Sequence, residues 1–517
     1  MNSRNDVNSR TKNTFRNIVF GLANKVTMSI IPFVVRTIII YRLGADYLGL
    51  GSLFSSILQV LSVTELGFAS AITYTMYEPI AKNDIRKVVE AVGLLKKIYR
   101  IIGIVITVIG IAFLPFLRGM IKGDVPGELN LYVLYLAYLL NTVMSYLFYG
   151  YKNSILSAYQ RNDLISKTGI VVEIITGFIQ IAILLLTSNY YAYVFVIPLM
   201  TLVSNLIINY TTNHYYPELN VNIDVSLKDV KGIYKQIGGI AIGRISLMCR
   251  NSFDSIIISS LIGLTAVAIY SNYYLIFSAV SSFLIIVLTS MAGSVGNCLS
   301  TKSMEANERD HITFDFFYEI IVGFCAICLF CLYQPFMNTW VGQDMVFPKV
   351  TMILFCFYFY INNLAQIRSV YSEAAGLWWH FKYLTIGEMI ANIVLNFGLG
   401  IYMGVNGILL ATIITAFLGS FVGCSVITYK KLFKKSPMIY FVRNAFYMLV
   451  TLIGAFFINR VVENVPIGGV AGLLVKALIC GVLALVYLSL VYLTNKRTRD
   501  EIITNPLIAK FGRSIAQ

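Results

Sequence analysis

Apolar segments of about twenty residues succeed one another along nearly the whole chain, parted by short polar breaks. A helix needs about that length to cross the hydrocarbon of a bilayer. In lipid each backbone N–H and C=O must find a partner within the chain, so every such segment has to be helical. The segments run Ile18–Tyr41, Ala45–Tyr74, Ile101–Phe116, Leu131–Tyr149, Leu164–Thr187, Tyr191–Tyr210, Ile237–Ile262, Ala266–Leu299, Phe314–Phe336, Val350–Tyr371, Tyr383–Tyr402, Gly407–Tyr429, Tyr440–Ile458 and Gly468–Leu493. The pattern predicts an all-α polytopic membrane protein with about 14 transmembrane helices.

Composition and charge fit that class. Of 517 residues, 57% are hydrophobic and 13% charged, with a mean hydropathy of +0.75. A soluble domain carries about 25% charged residues, so this chain has too little polar surface to cover a water-soluble globule. The net charge of +15 would suit a nucleic-acid binder in a soluble protein. Here it collects in alternate loops, so no nucleic acid is expected. One set of connections carries Arg4, Arg10 and Arg16, then Lys82, Arg86 and Lys87, then Lys228, Lys231 and Lys235, then Lys430, Lys431, Lys434 and Lys435, and finally Lys496, Arg497 and Arg499. The other set has little beyond Arg42, Arg118, Lys122 and Arg460. The positive-inside rule makes the first set cytosolic, with both termini, which requires an even number of spans. The first sixteen residues are polar and lack an apolar core, so no cleavable signal peptide is expected and the first span serves as the targeting signal.

Between the second and third spans, Ile85, Val88, Val89, Val92 and Leu95 keep helical spacing, flanked by Arg86, Lys87, Lys96 and Lys97. Two readings fit: a basic amphipathic helix lying on the membrane surface, or an inward continuation of the third span.

The chain also repeats itself. An offset of 219 lays Arg16-Asn17-Ile18 over Lys235-Gln236-Ile237, Lys25 over Arg244, Gly44 over Gly263 and Ser52 over Ser271. An offset of 215 lays Ser157, Lys167 and Glu173 over Ser372, Lys382 and Glu388, though it sets Gln180 on the apolar Leu395. Each copy would hold six helices, an even number, so both enter the membrane in the same orientation, as in parallel-repeat transporters. The predicted plan is two pseudo-symmetric six-helix lobes plus two C-terminal helices. Residues 1–210 form the N-lobe, 211–235 a cytosolic linker, 236–429 the C-lobe, 430–494 the extra helix pair and 495–517 a cytosolic tail.

Charges inside the apolar runs point to function, because a cation at bilayer depth costs at least ~2.5–3.5 kcal/mol. Lys25, Ser29, Pro32 and Arg36 follow i, i+4, i+7, i+11 in the first span, one face of a helix. In the seventh, Ser246, Arg250 and Asp254 share a face, with Arg250 and Asp254 at ion-pair spacing and Arg244 without an acid at i±3 or i±4. Arg36 lies about 7 Å from the outer end of its span at 1.5 Å per residue and could snorkel, as could Lys25 inward. Glu319, Arg368, Glu388 and Arg443 lie near cytosolic ends and are expected to snorkel. Glu65 is a candidate partner for a first-span cation or a titrating group. Cys325, Cys328 and Cys331 recur every three residues, but in an apolar helix without His or acid nearby, and His214, His311 and His380 fall in separate polar connections. No metal site, cofactor or catalytic group is expected.

Three stretches carry a resemblance. RTIIIYRLGADYLGLGSLF…TELGFASAI, with Glu65-Leu66-Gly67, resembles the first two helices of polysaccharide flippases of the multidrug/oligosaccharidyl-lipid/polysaccharide exporter superfamily. FDSIIISSLIGLTAVAIYSNYYLIF, with Asp254 and the turn Ile269-Tyr270-Ser271-Asn272, resembles their seventh and eighth helices. AAGLWWHFKYLTIGEMIANIVLNFGLGIYMGVNG, with Asn392 and Asn396, resembles the tenth-to-twelfth helix region. The resemblance implies a V-shaped, two-lobe transporter of alternating access that moves polyprenyl-pyrophosphate-linked oligosaccharide across a bacterial plasma membrane, for capsule, O-antigen or exopolysaccharide. A pyrophosphate needs cations at depth. Lys25, Arg36, Arg244 and Arg250 would supply them in a central cavity, and Glu65, Asp254, Glu173 and Glu388 are candidates for gating or for coupling to H+ or Na+. Membrane lipid, and the polymerase and glycosyltransferases of the same pathway, are the implied partners.

Other readings share the fold or differ in class. A peptidoglycan-precursor flippase would use the same cations; a multidrug extruder of cationic drugs would not. A membrane polymerase or glycosyltransferase needs a substantial external loop with catalytic acids or arginines, whereas Asp46, Asp124 and Glu128 form no paired constellation, so the chain is not expected to be an enzyme. A structural assembly partner would have little reason to bury Arg244 and Arg250.

Overall fold

The computed structural model describes residues 3–62, 68–127, 129–220 and 234–494, and among them every regular element is a helix. In chain order these are α1 (Ser3–Arg42), α2 (Ala45–Leu61), α3 (Phe68–Ala81), α4 (Ile85–Ala112), α5 (Leu131–Leu147), α6 (Lys152–Ala158), α7 (Asn162–Leu186), α8 (Tyr190–Tyr215), α9 (Tyr234–Leu261), α10 (Leu264–Thr301), α11 (Met304–Val341), α12 (Lys349–Asn363), α13 (Gln366–Ala374), α14 (Trp378–Met403), α15 (Val405–Thr415), α16 (Cys424–Thr428), α17 (Met438–Glu463) and α18 (Gly469–Thr494). By length and composition, 10 helices in the described residues can cross a membrane, or 11 if α5 and α6, bent by 49°, form one span. The other predicted spans fall on α2 with α3, on α4 and on α9. The chain is a multi-pass, all-α membrane protein.

The chain divides into two compact units, 1–271 and 272–517. In the first, α2, α4 and α5 build the main core, with Leu50, Leu53 and Phe54 against Leu95, Leu134 and Tyr135. α1 lies along α7, where a Cβ at Gly177 would stand 2.4 Å from Ile31 Cγ2, so only glycine lets the two helices meet there. α9 packs on α2, and Gly49 faces the start of α10, where a Cβ would come 2.1 Å from the Leu264 carbonyl oxygen.

α4 settles the choice left open above. It is one continuous helix from Ile85, capped by the Asp84 side chain, which accepts the Lys87 N–H at 3.2 Å. Its apolar stripe of Val88, Val89, Val92 and Leu95 is buried in the protein core. The segment is thus the inward continuation of the third span, and its apolar residues serve packing rather than lipid contact.

In the second unit α11, α17 and α18 share a core of Phe316, Ile327, Tyr447, Ala455, Ala484 and Leu488. Cys331 and Cys480 are free thiols packed in it. α15 leads into π-helical turns at Ala416–Gly423 and, after α16, at Tyr429–Phe433.

The backbone carries the repeat more clearly than the side chains do. Gly44 and Gly263 both hold positive φ, +110° and +133°. Gly44 donates to the Ile39 carbonyl at 3.0 Å and Gly263 to the Ile258 carbonyl at 3.1 Å, the same turn 219 residues on. α4 and α11 start in the same register: Asp84 accepts from Lys87 N–H, and Ser303 Oγ accepts from Ala306 N–H at 3.3 Å. Further along, Gln160 and Gly376 hold φ of 58° and 69° before α7 and α14. There Arg161 donates to the Leu156 carbonyl at 2.8 Å and Leu377 to the Ser372 carbonyl at 3.0 Å. These turns are 216 residues apart rather than 215. The extra residue sets Glu388 against Val172 instead of Glu173, a rotation of about 100° around a helix of 3.6 residues per turn.

Candidate functional site

A polar interior runs through the first unit on α1, α5, α7 and α8. Arg36, half-buried on α1, donates from Nη1 to Ser271 Oγ at 3.0 Å. Tyr193 and Tyr138 stand close enough to act on its charge. Gly51 makes room for this cluster, since a Cβ there would lie 2.6 Å from the Tyr138 hydroxyl and 3.0 Å from that of Tyr190. The Tyr190 hydroxyl in turn donates to the Tyr47 carbonyl at 2.8 Å. Glu173, half-buried on α7, stands close enough to act on Tyr193. Deeper along α8, Thr201 donates to Asn141 Oδ1 at 2.6 Å, and Lys152 Nζ donates to Asn209 and Asn213, both at 2.6 Å. A guanidinium bonded to one hydroxyl and near two tyrosines can hold an oxyanion by charge-assisted hydrogen bonds.

Lys25 is exposed on α1, with Ser29 Oγ donating to its backbone carbonyl at 2.9 Å. It lies on Arg36's face but about 16 Å along the helix at 1.5 Å per residue, so the two cations do not form one cluster. α1 runs unbroken through Pro32. Arg244 lies on α9 with its side chain outside the described residues, and Glu65 is outside them altogether.

On α9 the predicted face is buried as a whole. Ser246, Arg250 and Asp254 are each under a tenth exposed. Asp254 Oδ2 accepts the Tyr270 hydroxyl at 2.8 Å, and the neighbouring Ser252 donates to Gln59 Oε1 of α2 at 2.9 Å. Beyond them Thr265 Oγ1 donates to Asp46 at 2.5 Å and Lys122 Nζ to the Leu261 carbonyl at 2.6 Å. Polar bonds thus tie α2 to α9 at Gln59 and to the start of α10 at Asp46.

The acids and arginines expected to snorkel are instead held inside the second unit. Glu388 accepts Ser420 Oγ at 2.9 Å and packs where a Cβ on Gly419 would come 2.4 Å from its Oε2. Arg368 Nη2 donates to the Ser420 carbonyl at 3.1 Å, in a π-helical turn that leaves this oxygen accessible. Arg443 Nη2 donates to Asp315 Oδ2 at 3.3 Å, and the Tyr360 hydroxyl donates to Glu319 Oε2 at 3.3 Å. His311 is not in a connection: α11 starts ten residues before the apolar stretch and buries it completely. Snorkelling fails for Glu319, Arg368 and Arg443 because neighbouring helices cover them, while Glu388 stays partly exposed.

A further cluster escaped the sequence reading. Asp163 at the start of α7 is 1% exposed and takes Arg16 at 2.7 Å, Arg161 at 3.0 Å and Lys167 at 3.8 Å. Its one visible signal was an acid standing alone in a basic connection.

The family model for polysaccharide biosynthesis proteins matches residues 12–292, just over half of the chain. Among solved structures, the lipid II flippase MurJ in an inward closed conformation superposes with a TM-score of 0.63 at 13% identity, covering 92% of this chain and 99% of that one. A multidrug resistance MATE family transporter of the MOP superfamily, inward-facing, gives 0.56 at 15% identity over 79% and 98%. A variant of the Vibrio cholerae MATE transporter VcmN gives 0.56 at 13% over 83% and 100%. No curated protein sequence matches. At these identities the likeness is one of fold.

Proposed function

The chain belongs to the polysaccharide biosynthesis protein family, and from that premise we propose that it is a flippase for polyprenyl-pyrophosphate-linked oligosaccharide in a bacterial plasma membrane. The repeat units would serve capsule, O-antigen or exopolysaccharide. It works as a transporter, not an enzyme, by alternating access of two six-helix lobes with both termini in the cytosol. Arg36 carries the reading: a half-buried guanidinium on a membrane-crossing helix, bonded to a hydroxyl and ringed by tyrosines. That setting suits a pyrophosphate oxygen and a sugar hydroxyl arriving together. Arg244, Arg250 and Lys25 add positive charge along the first helix of each lobe, and the polyprenyl tail stays in lipid. In this scheme the α2–α9 seam joins the lobes on the Asp46 side. H+ or Na+ coupling would act through Glu173, Asp254, Glu388 or Glu65.

The test is complementation of a strain lacking the protein, with surface polysaccharide and membrane protein level both measured. Arg36→Ala and Arg244→Ala are expected to abolish surface polysaccharide at normal protein level, while Arg36→Lys keeps part of it. Lipid-linked oligosaccharide should accumulate inside; accumulation of a peptidoglycan precursor would assign the neighbouring flippase activity instead. Normal surface polysaccharide in Arg36→Ala would sink the proposal.

A further inference from the structure

His311, Asp315 and Glu319 follow i, i+4, i+8 on α11 and share one face. All three are at most 1% exposed. Charged and titratable groups surround them on every packed element. α11 itself adds Asp310 and Tyr318; α12 brings Tyr360, and α13 brings Arg368 and Tyr371. Tyr429 follows α16; α17 brings Tyr440, Arg443 and Tyr447, and α18 brings Tyr492.

The charges do not balance. Arg443 answers Asp315. Arg368 stands beside Glu388 through Ser420. Glu319 is met by the Tyr360 hydroxyl, which donates a hydrogen bond but no charge. Among the described ion pairs Arg443 answers Asp315 but no cation answers Glu319, and a buried uncompensated charge is costly, so a proton on Glu319 would remove it. Several atoms here also lack a hydrogen-bond partner among the described residues: both His311 nitrogens, Asp315 Oδ1, Glu319 Oε1 and the hydroxyls of Tyr371 and Tyr440. Buried polar atoms of this kind are usually partnered by another group or by water.

The fold does not require this acid row. In the 219-residue register its counterparts on α4 are Val92, Lys96 and Arg100. The guanidinium that balances Asp315 comes from α17, outside the repeat.

We propose that Glu319 is a proton-binding site, taking a proton from water onto its carboxylate and returning it, beside an Asp315 that is paired with Arg443. The site stands on the second unit alone; only its role in driving export rests on the flippase reading above.

The test is pH-difference infrared spectroscopy of the purified full-length protein in lipid nanodiscs. Wild type is expected to show a protonated-carboxylic-acid carbonyl band that disappears on alkalinisation. The band should be absent in Glu319→Gln and unchanged in Glu463→Gln, a half-exposed carboxylate paired with Lys349. Tyr360→Phe keeps both acids and should shift the band, which decides the matter even if Glu319→Gln fails to fold. A band that survives Glu319→Gln, one that ignores Tyr360→Phe, or no pH-sensitive carboxyl band in wild type would overturn the assignment. The readout needs no transport, so a failed export assay leaves it standing and a failed band leaves the flippase reading standing.

Discussion

α4 and α11 begin alike and part within two turns. Both start after a capping side chain in the same register, and both run well ahead of the apolar stretch that marked them as spans. On α4 the next turns carry Lys96, half-buried, and Arg100, exposed; on α11 the same positions carry the buried acids Asp315 and Glu319. The difference lies in what covers them. α17 and α18 pack on α11 within the second unit, whereas they have no counterpart in the first copy of the repeat. The repeat thus sets helix boundaries and turns, while charge at equivalent positions follows the local cover.

That comparison breaks most readily at Arg443. Arg443→Leu leaves Asp315 buried without its cation, and removing one partner of a buried pair costs about 3–5 kcal/mol. Arg100→Leu on α4, at an exposed position, should stay within about 0.5 kcal/mol, as surface changes usually do. Thermal unfolding of the purified protein in detergent reads both. A double variant, Arg443→Leu with Asp315→Leu, should recover most of the loss. Equal melting shifts for Arg443→Leu and Arg100→Leu would show that cover by α17 does not distinguish the two helices.

Much of the fold was legible because lipid leaves the backbone no alternative to helix, and the Gly44/Gly263 match was legible because a left-handed turn favours glycine. The charged cluster was not. Asp315 and Arg443 are 128 residues apart, and position along one helix says how deep a residue sits but not which helix covers it. Snorkelling was the wrong reading of Glu319, Arg368 and Arg443 for that reason. His311 was read as connection because hydropathy starts late on α11: the Lys302–Asp310 pair at 2.5 Å and the Glu308–Lys435 pair occupy its first turns. The signal that could have extended the helix was Ser303, a capping residue just ahead of it. Of the proposed cationic site, Arg36 was placed by spacing alone, but its tyrosine setting came from α5 and α8, whose aromatic residues look like ordinary membrane-helix composition.

The turn glycines test the repeat itself at a smaller scale. An L-residue forced to positive φ costs roughly 1–2 kcal/mol. Gly44→Ala and Gly263→Ala should therefore lower the melting temperature by similar amounts. Gly263→Ala should fall slightly further, because its Cβ would also meet the Lys122 carbonyl oxygen at 3.2 Å while nothing lies within 4 Å at Gly44. A loss at one glycine and none at the other would mean that the two turns share a shape but not a role.

The helix caps give the smallest and most even-handed comparison. Removing an N-cap side chain costs typically about 1 kcal/mol, and Asp84 and Ser303 each satisfy one backbone donor at the third position of their helix. Asp84→Ala and Ser303→Ala should thus destabilise α4 and α11 alike, read as faster amide hydrogen exchange in the first turn of each. Their difference isolates the cover of α17 and α18. If the rest of α11 is clamped by α17 and α18, the Ser303→Ala effect stays confined to the first turn, whereas α4, which lacks that cover and exposes Arg100, should fray further toward Arg100. Equal spread of exchange along both helices would mean that the repeat, rather than the extra helix pair, governs their stability.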